Sequence, residues 1–219
     1  MMLRKADDRR LDQTLVCLVV AGGCNVSPSP ATLTEALVSL VVQRSREDFP
    51  SERIKNAVRD MLRSGGYKPA GRQKPASEYL AQAAREGRFP SINGPVDCNN
   101  ILSLETGLPI SLLDADVVGE DPLIRICGTG DSYVFNASGQ EMDLAGLVCA
   151  CKADGSPLGN PVKDSMAGKL TDSTTRLAGF IYAPLALYTP TSLAAVGERF
   201  AGLLRQHCGA ASASVAGVA

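Results

Sequence analysis

The chain has 219 residues, of which 45% are hydrophobic and 21% charged, with a formal net charge of −1 and no tryptophan. A chain of this length can bury a substantial core, and its composition is ordinary for a soluble globular protein of one or two small lobes. The charge is unevenly placed: residues 1–88 carry 15 basic and 10 acidic side chains, and the rest carry 7 and 13. Such asymmetry is typical either of a polyanion-binding side beside an acidic one or of solvated helices.

Seven cysteines occur at irregular spacings, several of them inside apolar runs. This pattern indicates a reducing, cytoplasmic environment and not a disulfide framework. Cys149 and Cys151 fall on one face of a predicted strand, but such a pair without further cysteine or histidine nearby makes a poor zinc site. We therefore predict no metal and no cofactor. No apolar run approaches the roughly 18 residues of a membrane span, so no membrane partner is expected.

The first third of the chain predicts one buried strand and two helices. Residues 1–10 are charged and are expected to be loose. Residues 14–20, TLVCLVV, form a continuous apolar run, which predicts a strand buried on both faces. Apolar residues then recur at helical spacing after Pro30 and after Ser51. Residues 31–66 can alternatively present a docking surface for a protein.

A basic loop follows the second predicted helix. Its candidate RNA-binding residues are Tyr67, Lys68, Arg72 and Lys74. The cations can neutralise phosphates, and the tyrosine ring can stack on a base. A solvated connector is the alternative interpretation. A further helix is predicted over residues 77–86.

The middle of the chain is rich in groups that end helices and bind ligands. Asp97 is predicted to cap a short helix, because a carboxylate accepts from the free N–H groups of a first turn. Gly107 ends this helix and Pro109 prevents its return. Asn99 and Asn100 are then paired amides beside a chain reversal, each offering two donors and an acceptor. The alternative is a capped helix with ordinary polar surface residues.

Beyond residue 116 the pattern becomes β. Short strands are predicted over residues 123–127, 133–135 and 147–152, the second being the return strand of the first. Their separation by glycine-containing turns indicates antiparallel or mixed sheets. Residues 159–165, GNPVKDS, are a second segment with chemical potential, or else a plain Asx-type turn.

The end of the chain predicts a strand over residues 177–183 and a helix capped at Thr189. After Gly209 the tail consists of small residues and is predicted to be disordered. The predicted organisation is therefore a loose N-terminus (1–10), a single domain of one or two lobes (11–208) and a disordered tail (209–219).

Two consecutive motifs carry a family resemblance. Residues 96–101, VDCNNI, followed by 107–114, GLPISLLD, resemble a block of the phenylalanyl-tRNA synthetase beta subunit. That block reads Val-Asp-x-Thr-Asn-Tyr and then Gly-x-Pro-Leu-His-x-Phe-Asp, and it belongs to the tRNA-editing (B-three/B-four) domain, which also occurs free-standing. The spacing is kept without gaps, and the resemblance covers roughly residues 67–183. Asn99 stands where the family has threonine, and Ser111 where it has histidine.

The resemblance implies a fold and an activity. The fold is α/β in the sense of mixed α+β: a layered β/β/α sandwich of mixed sheets with helices on one side. The activity is hydrolysis of mischarged aminoacyl-tRNA bearing an aromatic or related amino acid, with the aminoacylated 3′ end of tRNA as the partner. The departure at Ser111 and the near-zero net charge keep an alternative open, namely a non-catalytic module that binds tRNA or a free amino acid.

The resemblance also implies a set of site residues. The candidate catalytic residues are Asn99, Asn100 and Ser111, and the candidate substrate-binding residues are Asp97, Pro109, Gly139, Asp164 and Ser165. Amide, hydroxyl and backbone N–H groups of this kind can position a water against an activated ester and polarise its carbonyl. The sequence offers no Ser-His-Asp set, which disfavours a covalent intermediate.

Overall fold

The computed structural model describes residues 1–219 and contains ten strands and six α-helices. The strands are β1 Arg4–Lys5, β2 Thr14–Gly22, β3 Ile110–Asp114, β4 Leu123–Ile126, β5 Ser132–Val134, β6 Glu141–Asp143, β7 Val148–Cys151, β8 Pro157–Gly159, β9 Arg176–Pro184 and β10 Ser212–Val218. The helices are α1 Ala31–Ser45, α2 Glu52–Arg63, α3 Ala76–Arg85, α4 Gly94–Thr106, α5 Ala115–Val118 and α6 Pro190–His207.

The apolar run predicted as a doubly buried strand forms β2 at the centre of the first sheet. This sheet has the order β10-β2-β9-β3 and is antiparallel throughout. β2 and β9 pair along nine residues each, from Thr14 opposite Pro184 to Gly22 opposite Arg176. Both strands are almost entirely buried, which explains why each reads as a near-continuous apolar run.

The second sheet has the order β1-β4-β7-β8 and is mixed, because β1 runs parallel to β4 while the other pairs are antiparallel. It packs against one face of the first sheet. At this contact a Cβ on Gly159 would lie only 2.8 Å from the Ser111 Oγ. In the 3-10 turn that follows β8, a Cβ on Gly168 would lie 2.9 Å from a Leu113 methyl group of β3. β5 and β6 form a separate two-stranded ribbon.

Helix α6 packs on the other face of the first sheet. A Cβ on Gly179 of β9 would lie 2.5 Å from the Phe200 ring of α6, and one on Gly197 of α6 would lie 2.6 Å from the Cys17 Sγ. Helix α4 packs on α6 and α1. A single cluster of 50 buried hydrophobic residues runs through these layers. The order helix, sheet, sheet confirms the predicted layered β/β/α fold. None of the six helices combines the length and apolar character that crossing a bilayer requires.

The beginning of α4 corrects one prediction. Asn93 is the N-cap, and its side-chain oxygen accepts from the third amide along. Asp97 lies inside the first turn, fully buried, where it accepts from the hydroxyls of Ser29 and Ser91 at 2.6 Å each and from the Ile92 N–H at 3.0 Å. A carboxylate four residues past the cap cannot reach the free N–H groups of its own turn. Asp97 instead binds the two loops that contain Ser29 and Ser91.

Other helix ends follow the sequence. Gly107 adopts the left-handed conformation (φ 76°) and ends α4, as predicted. Thr189 caps α6 in a capping box, accepting from the Ser192 N–H at 3.2 Å while the Ser192 hydroxyl accepts from the Thr189 N–H at 2.9 Å.

The predictions of a loose N-terminus and a disordered C-terminal tail are both wrong. β1 pairs with β4 from Arg4 opposite Leu123. β10 pairs with β2 along six residue pairs, and α6 reaches its backbone: Glu198 Oε1 accepts from the Val215 N–H (3.2 Å) and Arg205 donates to the Ala213 carbonyl. A backbone ladder requires no large side chains, so a tail of small residues can still be ordered when an open strand edge lies beside it.

The predicted hairpin between the strands at 123–127 and 133–135 is also wrong. β4 pairs with β1 and β7, and β5 pairs with β6. The chain is redirected at Asp131, whose carboxylate accepts from the Gly128 N–H (2.7 Å) and from both terminal nitrogens of Arg125 (2.8 and 3.0 Å). This ion pair fixes a turn that leads away from β4.

Candidate functional site

The largest cavity, about 560 Å³, lies against α3, α4 and the segment that follows β8. Its walls are mostly apolar, with a few polar side chains and two cations. The lining residues include Arg72, Leu80, Asn99, Asn100, Ser103, Ile110, Val162 and Lys163. A mostly apolar cavity with a few convergent polar groups is typical of a small-molecule site.

A smaller cavity of about 270 Å³ adjoins the first. Asn99 and Ile110 line both cavities, so these two residues form the partition between them. Asn93, Asp164 and Lys169 supply the polar part of the smaller cavity. We call the two together the paired cavity.

Asn99 has an unsatisfied polar atom at this partition. Its side-chain oxygen is buried and has no hydrogen-bond partner within the protein. A buried acceptor without a partner costs about 1–3 kcal/mol, and most such atoms in folded proteins are paired. Because Asn99 lines both cavities, a donor on a bound ligand can satisfy this oxygen.

Asp164 is the only carboxylate that lines either cavity. Its two oxygens accept from the backbone N–H groups of Leu112 (3.2 Å) and Asn160 (3.3 Å). Burial raises the pKa of this carboxyl from its ordinary value of 3.8 to about 7, although the nearby Ser111 hydroxyl, the two backbone N–H groups and the charge of Lys169 oppose the rise. The group therefore exchanges its proton close to neutral pH.

Hydrogen bonds and a cation–π contact join the segment after β8 to β5 and the residue that follows it. The Asn160 side-chain amide donates to the Tyr133 hydroxyl (2.5 Å), which in turn donates to the Lys163 carbonyl (2.5 Å). The Lys163 Nζ lies 4.0 Å from the centre of the Phe135 ring, in a cation–π contact. These contacts hold Lys163 and Asp164 at the cavity wall.

Ser111, predicted as catalytic, lies behind the paired cavity and lines neither part of it. Its side chain is fully buried; the hydroxyl donates to the Asn160 carbonyl (3.2 Å) and lies 3.2 Å from the Tyr182 hydroxyl. Pro109 is also buried, and its carbonyl accepts from the Tyr182 N–H. Ser165 caps a short 3-10 turn by accepting from the Gly168 N–H.

Asp97 and Gly139 do not line the paired cavity. Asp97 serves the hydrogen bonds before α4 described above. Gly139 has a φ of 75° and lies in the exposed turn of the β5–β6 ribbon, where glycine suits the left-handed backbone. Neither lines the cavities. Of the eight predicted catalytic and substrate-binding residues, the structure therefore brings Asn99, Asn100 and Asp164 together there.

The four candidate RNA-binding residues of the basic loop differ in their exposure. Tyr67 is only 5% exposed and its hydroxyl is buried without a partner, so its ring is not free to stack on a base and that prediction is wrong. Lys68 and Arg72 are exposed, and Arg72 lines the larger cavity. Lys74 is half-buried and lines a separate polar cavity of about 130 Å³.

Sequence reasoning missed three lining residues that matter for the chemistry. Lys163 and Lys169 add positive charge on the two sides of the paired cavity, and Ile110 forms the partition with Asn99. Lys163 lies in the segment already singled out for Asp164, so its charge was a usable signal. Ile110 had no such signal, because the sequence pattern predicts that an isoleucine at the start of a strand packs in the hydrophobic core.

The chain is a layered α+β protein, and the paired cavity is its candidate ligand site. No protein-family model matches the chain, and no curated protein matches it in sequence. Among solved structures, the chain is similar to an N-terminal fragment of the phenylalanyl-tRNA synthetase beta subunit from Pyrococcus horikoshii, with 10% identity and a TM-score of 0.49. The match covers 97% of this chain and 50% of that one, so the chain spans about half of that structure's length.

Proposed function

We propose that the paired cavity binds the aminoacylated 3′ end of a tRNA and that the protein hydrolyses the ester, releasing an amino acid from mischarged tRNA in the cytoplasm. The proposal rests on the position and the unpaired side-chain oxygen of Asn99. Asn99 belongs to the ungapped motif block described above, it lines both cavities, and its side-chain oxygen has no partner in the protein.

The cavity walls suit the parts of such a substrate. The larger cavity, about 560 Å³, falls in the usual range for small ligands, and its apolar wall, with Leu80 and Val162, suits an amino-acid side chain. Arg72 and Lys163 line the same cavity and can neutralise a phosphate of the terminal nucleotides. Asn100, which is 5% exposed, can orient the substrate or the attacking water.

A direct attack by water suits these walls better than a covalent intermediate. The residues lining the paired cavity include no cysteine and no histidine. Their one serine, Ser103, donates its hydroxyl to the Leu108 carbonyl at 2.8 Å. A positioned water needs only orientation and polarisation of the ester carbonyl, which amide and backbone groups provide.

The test is a deacylation screen over a panel of correctly and incorrectly charged tRNAs. Wild-type protein should release the amino acid from at least one mischarged member. Asn99→Ala and Asn100→Ala should each slow release about ten-fold, since a lost positioning hydrogen bond costs about 1–3 kcal/mol. Asn56→Ala is the matched control, because Asn56 is exposed on α2 and lines neither cavity.

Absence of turnover on every tRNA would refute the proposal. If the same protein then bound a free amino acid, with a binding constant independent of salt, the structure would belong to the binding module that the sequence left open. Loss of activity in Asn56→Ala equal to that in Asn100→Ala would show that the paired cavity has no special role.

A further inference from the structure

We propose that Asp164 is the general base of this hydrolysis, taking the proton of the attacking water and later returning it to the leaving ribose oxygen. This inference rests on the proposed function, and it assigns to Asp164 a proton-transfer role where the sequence indicated only substrate binding. Three observations support it: the position of the carboxylate, the way its orientation is fixed, and the charges around it.

The first observation is position. Asp164 lines the smaller cavity, and Asn99 separates that cavity from the larger one. In the proposed binding mode the amino-acid side chain occupies the larger cavity and the ester lies at this partition. No other carboxylate lines either cavity, so Asp164 is the one acid residue that can accept a proton there.

The second observation is orientation. One oxygen of Asp164 accepts from the Leu112 N–H at 3.2 Å and the other from the Asn160 N–H at 3.3 Å. Behind the carboxylate the chain approaches so closely that a Cβ on Gly159 would lie 2.9 Å from the Asp164 Oδ1. Each carboxylate oxygen offers about two acceptor positions. The two amides thus fix the group and leave acceptor capacity for a water.

The third observation is the charged and titratable surroundings. Burial raises the pKa of Asp164 to about 7, and the charge of Lys169 and the hydrogen bonds limit that rise. Tyr182 on β9 and Tyr133 on β5 face the same group, and burial raises the pKa of each phenol well above its usual range, so both stay neutral. A base with a pKa near the working pH is the most effective one for proton transfer.

The reaction balances without any further reagent. Water attacks the ester carbonyl carbon, forming a C–O bond, while one of its protons passes to the Asp164 carboxylate. The tetrahedral intermediate then breaks its bond to the ribose oxygen, and the proton on Asp164 passes to that oxygen. The products are the free amino acid and the tRNA hydroxyl, and Asp164 returns to its starting form.

The experiment measures single-turnover deacylation from pH 5.5 to 8.5 on the best substrate of the panel. The wild-type rate should rise about ten-fold per pH unit at low pH and level off above pH 7, as Asp164 loses its proton. Asp164→Asn should be slower by about 100-fold at pH 8 and should lose this rise. Asp172→Asn is the matched control, because Asp172 is exposed nearby and lines neither cavity.

A second variant guards against loss of folding, because an asparagine amide cannot accept from both the Leu112 and Asn160 N–H groups. Asp164→Ala opens space in the smaller cavity, and added formate should raise the rate of this variant about ten-fold. Thermal unfolding of the variant is measured at the same formate concentration. Restoration in a variant whose melting temperature formate leaves unchanged supports a proton-transfer role, because a structural role would not respond to an external base.

The outcomes separate the two proposals. Turnover by wild-type protein, with a folded Asp164→Asn variant within about two-fold of it and an unchanged pH profile, overturns the role of Asp164 alone. So does a folded Asp164→Ala variant that formate does not reactivate. Inactivity of the wild-type protein on every charged tRNA overturns the proposed function, and the role of Asp164 falls with it.

Discussion

Adding one methyl group at Gly197 should destabilise the contact between helix α6 and the first sheet. A Cβ at this position would lie 2.6 Å from the Cys17 Sγ on β2 and 2.7 Å from a Val215 methyl carbon on β10. Gly202, five residues along the same helix, has no heavy atom within 4 Å of the corresponding position. The same substitution, glycine to alanine, therefore tests packing at one site and helix propensity alone at the other.

The two effects can be weighed against each other. Alanine in place of glycine inside a helix is worth about 1 kcal/mol. Overpacking a well-filled core typically costs about 1–3 kcal/mol, and two neighbours on separate strands place Gly197 near the upper end. Gly197→Ala should thus lose about 2 kcal/mol net, and Gly202→Ala should gain up to about 1 kcal/mol. For a chain of this size, each kcal/mol shifts the melting temperature by about 2–4 °C.

Thermal and urea unfolding of the two variants beside wild type measure this difference. We expect the melting temperature to fall by about 4–8 °C for Gly197→Ala and to rise by about 2–4 °C for Gly202→Ala. Adding Cys17→Ala to Gly197→Ala should recover part of the loss, because it removes one of the two close neighbours. Equal stability of Gly197→Ala and Gly202→Ala would refute the close packing of α6 on β2 and β10.

Three further predictions follow from the fold and the basic loop. Removing residues 210–219 should lower the melting temperature by more than 5 °C, because six pairs with β2 are lost and each hydrogen bond contributes about 1 kcal/mol; an unchanged melting temperature would mean that β10 adds nothing. Tyr67→Phe should keep or raise the stability in urea, since it removes a buried hydroxyl without a partner, and a loss above about 1 kcal/mol would reveal a missed hydrogen bond. Arg72→Ala should weaken the salt dependence of tRNA binding by about one phosphate contact. If Lys68→Glu leaves that salt dependence unchanged, the RNA contacts the loop only on the side of the cavity.

Sequence patterns predicted the elements whose signals are local. β2 and β9 appear as apolar runs because both of their faces are buried, and Thr189 and Gly107 mark helix ends through chemistry within one turn. β10 has no such local signal. Its order comes from pairing with β2, almost 200 residues earlier in the chain, and the tail's own residues carry little preference for any structure.

The candidate site was predictable only in part, for a related reason. Asn99 and Asn100 came from a contiguous motif, and both line the paired cavity. Ser111 comes from the same motif, but its side chain faces the second sheet, where it contacts Asn160, and it also contacts the Tyr182 hydroxyl of neighbouring β9. Asp164 lies 65 positions after Asn99 in the chain, and the two meet at the smaller cavity only because the loop after β8 lies beside α4. Spacing along a chain cannot show which way a side chain faces.

The contacts between α6 and β10 also bear on how this molecule behaves among copies of itself. An outermost strand with free N–H and C=O groups is a template on which another chain can add a strand and start a growing aggregate. Here Glu198 occupies the Val215 N–H and Arg205 occupies the Ala213 carbonyl. Two charged side chains from a neighbouring helix thus stand where a foreign strand would have to dock. At high protein concentration, these two contacts should therefore hinder the addition of a strand from another copy at the β10 edge of the sheet.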